Sequence, residues 1–271
     1  MDGSTSFANR RERDACGIGF VANSEGIATR QITDLAIDAL CRVRHRGAVA
    51  ADAKTGDGAG LLLPIPGRFY AEWLSSTGSG ETSKIDSAFL GIAMPFVWDQ
   101  TGSHRTLIEA ACRSEGIDVV AWREVPTDLD ALGEYAARTA PVIEQAILLK
   151  PMGVTQDEAE RRAVRARKRS EKSCADAGIK AFFPSFSFHT LTYKALCAAD
   201  QLTSFYRDLT EPLFEAPFVI FHQRFATNTR PTWERAQPFR MLCHNGEINT
   251  IQGNINRMKA REGRLGKTNL L

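Results

Sequence analysis

Histidine is scarce in this chain, with five residues in 271, and paired cysteine motifs are absent. The six cysteines stand at 16, 41, 112, 174, 197 and 243, with no CxxC spacing and no His-x-x-His beside them. That scatter argues against a zinc site and, in a chain of this length, against a disulfide framework; a reducing cytoplasm is the simpler setting. Long apolar runs are also missing, and none approaches the ~20 residues that a membrane-spanning helix needs. Residues 1–15 (MDGSTSFANRRERDA) contain no apolar stretch of the kind a secretory signal carries. Neither sign of charge is in excess: 34 Lys and Arg face 32 Asp and Glu, a net +2, which gives no reason to expect nucleic acid or an anionic membrane as partner. What remains is 43% hydrophobic residues, enough to bury a sizeable core in one large domain or two small ones.

The most informative stretch is 222–254, HQRFATNTRPTWERAQPFRMLCHNGEINTIQGN. An apolar run at 218–221 leads into it and reads as a buried strand; a second at 239–243 reads as a neighbouring strand ending at His244-Asn245-Gly246. Asn-Gly after a strand signals a tight turn, and it sets a side-chain amide beside an open backbone N–H. Two such donors can form an oxyanion hole. Arg224 offers a planar fork for a carboxylate. Together these suit a carboxylate-bearing substrate whose carbonyl is attacked, and they leave the nucleophile to be found elsewhere.

Cys16, followed by Gly-Ile-Gly-Phe-Val-Ala, has two readings. It is a small buried hydrophobe, the usual fate of a free cysteine. Alternatively, it is a nucleophile that becomes the first residue once a disordered leader of residues 1–15 is cut away. A free α-amino group titrates near ~7.7–8 and can take the proton from its own thiol without a histidine.

Along the rest of the chain, residues 30–44 form an amphipathic helix with Ile32, Leu35, Ala36, Ala39, Leu40 and Val43 on one face and Gly47 beyond its end. Strand and helix patterns then alternate, which predicts an α/β arrangement of two or three layers. Within this stretch His104 reads as a surface residue at a helix start. Residues 126–138 read as one short helix. Thr155 to Glu158 is a capping box opening a helix rich in arginine through Ser170. Interleaved glutamates make that helix a solvated or partner-facing one rather than a nucleic-acid contact. Phe182, Phe186 and Phe188 alternate on one side of a strand, and residues 251–263 read as a helix with Asn249 as its N-cap.

Cys-Gly-Ile-Gly near the start, His-Arg-Gly at 45–47, and HQRFATNT, AQPFR and HNGEINT in that order resemble the class II glutamine amidotransferases. More closely, they resemble the amidotransferase domain of the glutamate synthase large subunit, across nearly the whole chain. The long separation of His45 from His222 is part of that closer likeness. The resemblance implies an α+β fold, a four-layer αββα sandwich of the N-terminal-nucleophile hydrolase type. It divides the chain into a propeptide, 1–15, and an amidotransferase domain from Cys16 onward whose last part, with an Asp for the substrate ammonium, is expected beyond Leu271. It selects the second reading of Cys16 and makes it the nucleophile, with its own amino group as base. Asn245 and Gly246 then hold the oxyanion, and Arg224, Thr227, His45 and Arg46 serve substrate binding, Arg46 by holding Cys16 in place.

The implied reaction turns glutamine into glutamate and ammonia through a cysteinyl thioester, the ammonia serving glutamate synthesis from 2-oxoglutarate. No cofactor is expected in this chain. FMN and an iron–sulfur cluster are expected in a flavin-containing synthase domain or subunit, served by an electron-donating subunit. Two other expectations stand beside this one: an amidotransferase for an aminosugar, purine-precursor or asparagine acceptor, and a truncated domain that binds glutamine without turnover.

Overall fold

The computed structural model describes residues 17–77, 87–99, 101–223, 230–240 and 251–265. Among the described residues, eight strands form two four-stranded sheets. The first has the order β1 (Ile18–Ala22), β8 (Phe218–Gln223), β2 (Ala59–Pro64), β7 (Thr190–Ala195). The second has the order β4 (Asp118–Glu124), β5 (Val142–Leu149), β3 (Leu90–Val97), β6 (Ala181–Ser187). Every ladder is antiparallel. The alternation of strand and helix in the sequence therefore does not build a parallel α/β sheet; β5 is inserted between β3 and β4, and the class is α+β.

Helix α1 (Arg30–Arg42) begins where the Thr29 hydroxyl accepts the Ile32 N–H. Its buried stripe is Ile32, Thr33, Ala36 and Leu40, while Leu35 stays 47% exposed, so the stripe is narrower than the sequence periodicity suggests. The helix stops at Arg42, and the chain tightens into a 3₁₀ turn at Arg44–Arg46. One buried cluster draws Leu61, Leu63, Leu191 and Tyr193 from the first sheet and Ile92, Met94, Phe96 and Ile147 from the second. Side chains of α1 and of α2 (Gly67–Thr77) join it. Each fully buried Leu or Phe contributes roughly 1.5–3 kcal/mol, so this shared cluster is the main bond between the sheets. A second cluster lies between the second sheet and helices α3 (Ser103–Ser114) and α5 (Gln156–Asp176). There the alanines Ala159, Ala163 and Ala166 of α5 meet Phe183, Phe186 and Phe188. The Thr155 hydroxyl caps α5 by accepting the Glu158 N–H at 3.2 Å, as the capping-box pattern requires.

Four local expectations change. Phe182 packs with the first cluster and Phe186 with the second, although four residues apart on one strand they should share a face. The register slips between Met94 and Phe96, where β6 carries one extra residue, and such a bulge flips the alternation. His104 is buried, not on the surface. Residues 126–138 break into a 3₁₀ turn, Leu129–Ala131, and the short α4 (Glu134–Arg138), with Leu132 and Gly133 extended between them. Phe239 and Arg240 are not strand; the rest of the predicted 239–243 strand, and the Asn249 cap, lie outside the described residues. Helices α6 (Leu202–Phe205) and α7 (Ile251–Leu265) complete the described chain. No described helix is long and apolar enough to cross a membrane.

Candidate functional site

Strands β1 and β8 run antiparallel with Ile18 opposite His222, and the next pair closes as the Gln223 N–H donates to the Gly17 carbonyl at 2.6 Å. Gly17 is pressed flat against its partner. A methyl group at Gly17 would stand 1.9 Å from the Gln223 carbonyl oxygen, and 3.6 Å from the Arg46 Cβ. The residue that follows Cys16, the residue that precedes Arg224, and Arg46 therefore meet at one end of the first sheet.

Arg46 arrives there because α1 ends in a tight turn: its N–H donates to the Val43 carbonyl at 2.9 Å and the Gly47 N–H to Arg44 at 2.9 Å. A side chain at 47 would displace the Gln223 amide. A Cβ there would lie 2.1 Å from the Gln223 side-chain nitrogen and 3.2 Å from an Asp57 carboxylate oxygen. His45, in the same turn, is exposed, with its Nδ1 3.2 Å from the Arg42 carbonyl. It thus stands at the end of α1, while half-buried Arg46 faces the start of β1. Cys16, Arg224, Thr227, Asn245 and Gly246 lie outside the described residues.

The loop after Gly47 folds back on itself. Val49 bridges Gly56, and the Asp57 N–H donates to the Ala48 carbonyl at 3.0 Å. Within it, the Asp52 carboxylate accepts from the Thr55 hydroxyl and from the Thr55 and Lys54 N–H groups, which holds its pKa down at about 2. Asp57 also borders a cavity of about 330 Å³ lined by Val49, Thr55, Tyr135, Leu196 and Arg230. At ~30 Å³ per liquid water, this is room for a free amino acid.

Burial raises the pKa of each described cysteine thiol, Cys41, Cys112 (to about 12), Cys174 and Cys197, so none of the four is primed as a thiolate. Two residues of this corner, Asp57 and Gln223, have little in the sequence to mark them. Asp57 reads as one more turn residue before Gly58, and Gln223 as a spacer between His222 and Arg224. Only its place between His222 and Arg224 marks Gln223.

The profile of the glutamine amidotransferases class-II family matches residues 16–270. The chain belongs to that family. It is similar to the glutamate synthase [NADPH] large chain of Azospirillum brasilense, with 41% identity over 94% of this chain and 17% of that protein. It is also similar to the ferredoxin-dependent glutamate synthase 2 of Synechocystis sp., at 40% identity over 94% of this chain and 16% of that protein. The glutamate synthase [NADPH] large chain of Bacillus subtilis is 38% identical over 93% of this chain and 16% of its own length. The chain thus spans about a sixth of the length of the curated relatives it matches.

Proposed function

We propose that this chain is the glutamine-hydrolysing part of a glutamate synthase large subunit. The observation that carries the reading is the corner where Gly17, hydrogen-bonded to Gln223 at 2.6 Å, stands beside Arg46 in a member of the class-II amidotransferases. Cys16, bonded to Gly17, is the nucleophile once residues 1–15 are removed. Its α-amino group takes the thiol proton, and the thiolate attacks the side-chain carbonyl of glutamine. Asn245 Nδ2 and the Gly246 N–H stabilise the tetrahedral oxyanion, a contribution of about 10²–10³ in rate for each donor. The C–N bond breaks, the departing nitrogen takes the proton from the α-amino group, and ammonia leaves a γ-glutamyl thioester. Water then attacks the thioester, releasing glutamate and restoring the thiol. Arg224 and Thr227 bind the amino-acid end of glutamine, and Arg46, with His45 in the same turn, shapes the wall beside Cys16.

In the longer protein the ammonia is consumed with 2-oxoglutarate in a flavin- and iron–sulfur-containing synthase part. An electron donor serves that part, and the relatives' names give NADPH and ferredoxin. The fold reading is a four-layer αββα sandwich of the N-terminal-nucleophile hydrolase type. The two antiparallel sheets with a shared cluster, and the two helices lying against the second of them, support it.

The test is mass spectrometry of the active full-length protein with glutamine- and ammonia-dependent assays. The expected result is an N-terminus at Cys16. Cys16→Ser is expected to abolish ammonia release from glutamine and to leave ammonia-dependent synthesis intact. Active protein that retains residues 1–15 overturns the reading.

A further inference from the structure

Gln223 touches both halves of the corner. Its backbone N–H serves Gly17 at 2.6 Å, and its side-chain nitrogen reaches an Asp57 oxygen at a long 3.5 Å, packed against Gly47 so closely that a Cβ there would displace it. The side chain is 1% exposed, and its Oε1 is buried with no hydrogen-bond partner among the described residues. The fold alone gives no reason for an amide here. A buried acceptor left unpaired costs about 1–3 kcal/mol, and an apolar side chain of the same shape carries no such cost.

We infer that Gln223 and Asp57 are a positioning pair for the amidotransferase site, fixing the turn that carries Arg46 at a set distance from Gly17. The linkage is short and continuous: β8 holds β1 through Gly17, the Gln223 side chain holds Asp57 and Gly47, and Gly47 is bonded to Arg46. A side chain at 223 that releases Asp57 lets this turn drift from β1. A displacement of about 1 Å near a reacting centre can cost about 10² in rate. The inference deepens the functional reading above and rests on it.

The experiment uses the full-length protein carrying this chain, with glutamine as substrate. Gln223→Met keeps the volume and removes the amide. Its thermal midpoint is expected to equal or exceed that of the wild type, with kcat for ammonia release falling about 10²-fold, KM nearly unchanged, and ammonia-dependent synthesis intact. Gln223→Glu sets a second carboxylate against Asp57, and two such groups must share a proton to stay together. Its activity is expected to survive only on the acid side of the wild-type profile. Adding Asp57→Asn restores an amide–carboxylate pair with reversed polarity and is expected to recover activity at neutral pH. A Gln223→Met enzyme with wild-type kcat and pH profile overturns the inference. So does one that loses kcat only together with its thermal midpoint, and so does a double variant no better than Gln223→Glu alone. A wild-type protein that releases no ammonia from glutamine overturns the functional reading instead.

Discussion

The Lys194 ammonium nitrogen lies 2.6 Å from the carbonyl oxygen of Ala236. It also donates to the Glu234 carbonyl at 2.8 Å and sits over the rings of Phe182 and Phe239 at 4.6 and 4.8 Å. These contacts pin the segment that joins the Arg224 stretch to the His244-Asn245-Gly246 stretch. The segment crosses β2 at Gly60, where a Cβ would come within 2.7 Å of the Gln237 carbonyl. Burial, helped by the nearby Arg240, holds the Lys194 pKa well below its ordinary value.

Lys194→Met is therefore expected to leave two carbonyls unpaired, each at a cost of about 1–3 kcal/mol, offset in part by relief of a buried charge. The local effect exceeds the global one. Arg235 is exposed on this segment, and trypsin is expected to cut there in the variant under conditions where the wild type stays intact. Equal cutting at Arg235 in both proteins would show that the lysine does not hold the segment.

A second expectation concerns the buried pair His104 and Glu144, with the half-exposed Arg105 at its edge. His104 Nε2 lies 2.5 Å from a Glu144 oxygen, and Arg105 Nε donates to the other at 3.1 Å. Burial alone would raise the Glu144 pKa, but the hydrogen bonds from His104 and Arg105 outweigh it and hold the carboxyl at about 2, against an ordinary 4.5. A carboxyl depressed on folding stabilises the native state above its unfolded pKa and loses that contribution as pH falls towards the folded one. Glu144→Gln is thus expected to destabilise the protein by about 2 kcal/mol at neutral pH. Urea unfolding at a series of pH values should show the wild type and the variant converging between about pH 4.5 and 2. A gap that stays constant across that window would rule the account out.

The His104 group also marks where sequence reading runs out. The cap of α5, most of the stripe of α1 and the strand at 218–221 follow from residues within a few positions of each other, and local pattern exposes them. His104 stands at the start of α3, where a polar residue normally faces water. Its burial is set by Glu144, forty positions later on β5. The bulge that separates Phe182 from Phe186 arises from pairing with β3, which no pattern within β6 encodes. At the candidate site the same division holds. Arg46 stands in a recognisable motif, whereas the nearness of Gln223 to Asp57 emerges only when β8 and the loop after Gly47 are side by side.

Arg123 and Asp208 form a buried pair with both carboxylate oxygens engaged, at 2.7 and 2.5 Å, and Asp208 also accepts the Tyr193 hydroxyl at 2.6 Å. The pair ties β4 to the 3₁₀ turn Arg207–Thr210, which leads towards β8. Removing one partner leaves the other charge buried and uncompensated, so Asp208→Leu or Arg123→Met should each cost about 3–5 kcal/mol. The double variant Arg123→Met with Asp208→Leu is expected to cost clearly less than the two single changes added together, as read from a double-mutant cycle of chemical unfolding. Additive losses would mean that the two side chains act independently.

Three arginines of α5, Arg162, Arg165 and Arg169, reach the end of α3. Glu115, at the C-cap of α3 with its side chain 8% exposed, accepts from Arg165 at 2.7 Å and Arg169 at 3.0 Å, while Arg162 donates to the Glu115 carbonyl at 3.1 Å. One carboxylate thus holds two helices side by side, and the basic run becomes part of the packing between them. Glu115→Gln is expected to lower stability by about 1 kcal/mol, because the guanidinium groups are partly solvated. The loss should shrink at high salt, where screening already weakens the wild-type contacts. It should also free positive charge: a polyanion column is expected to retain the variant more strongly than the wild type at low salt. Equal retention, with stability unchanged at every salt concentration, would mean that Glu115 does not bind the basic helix at all.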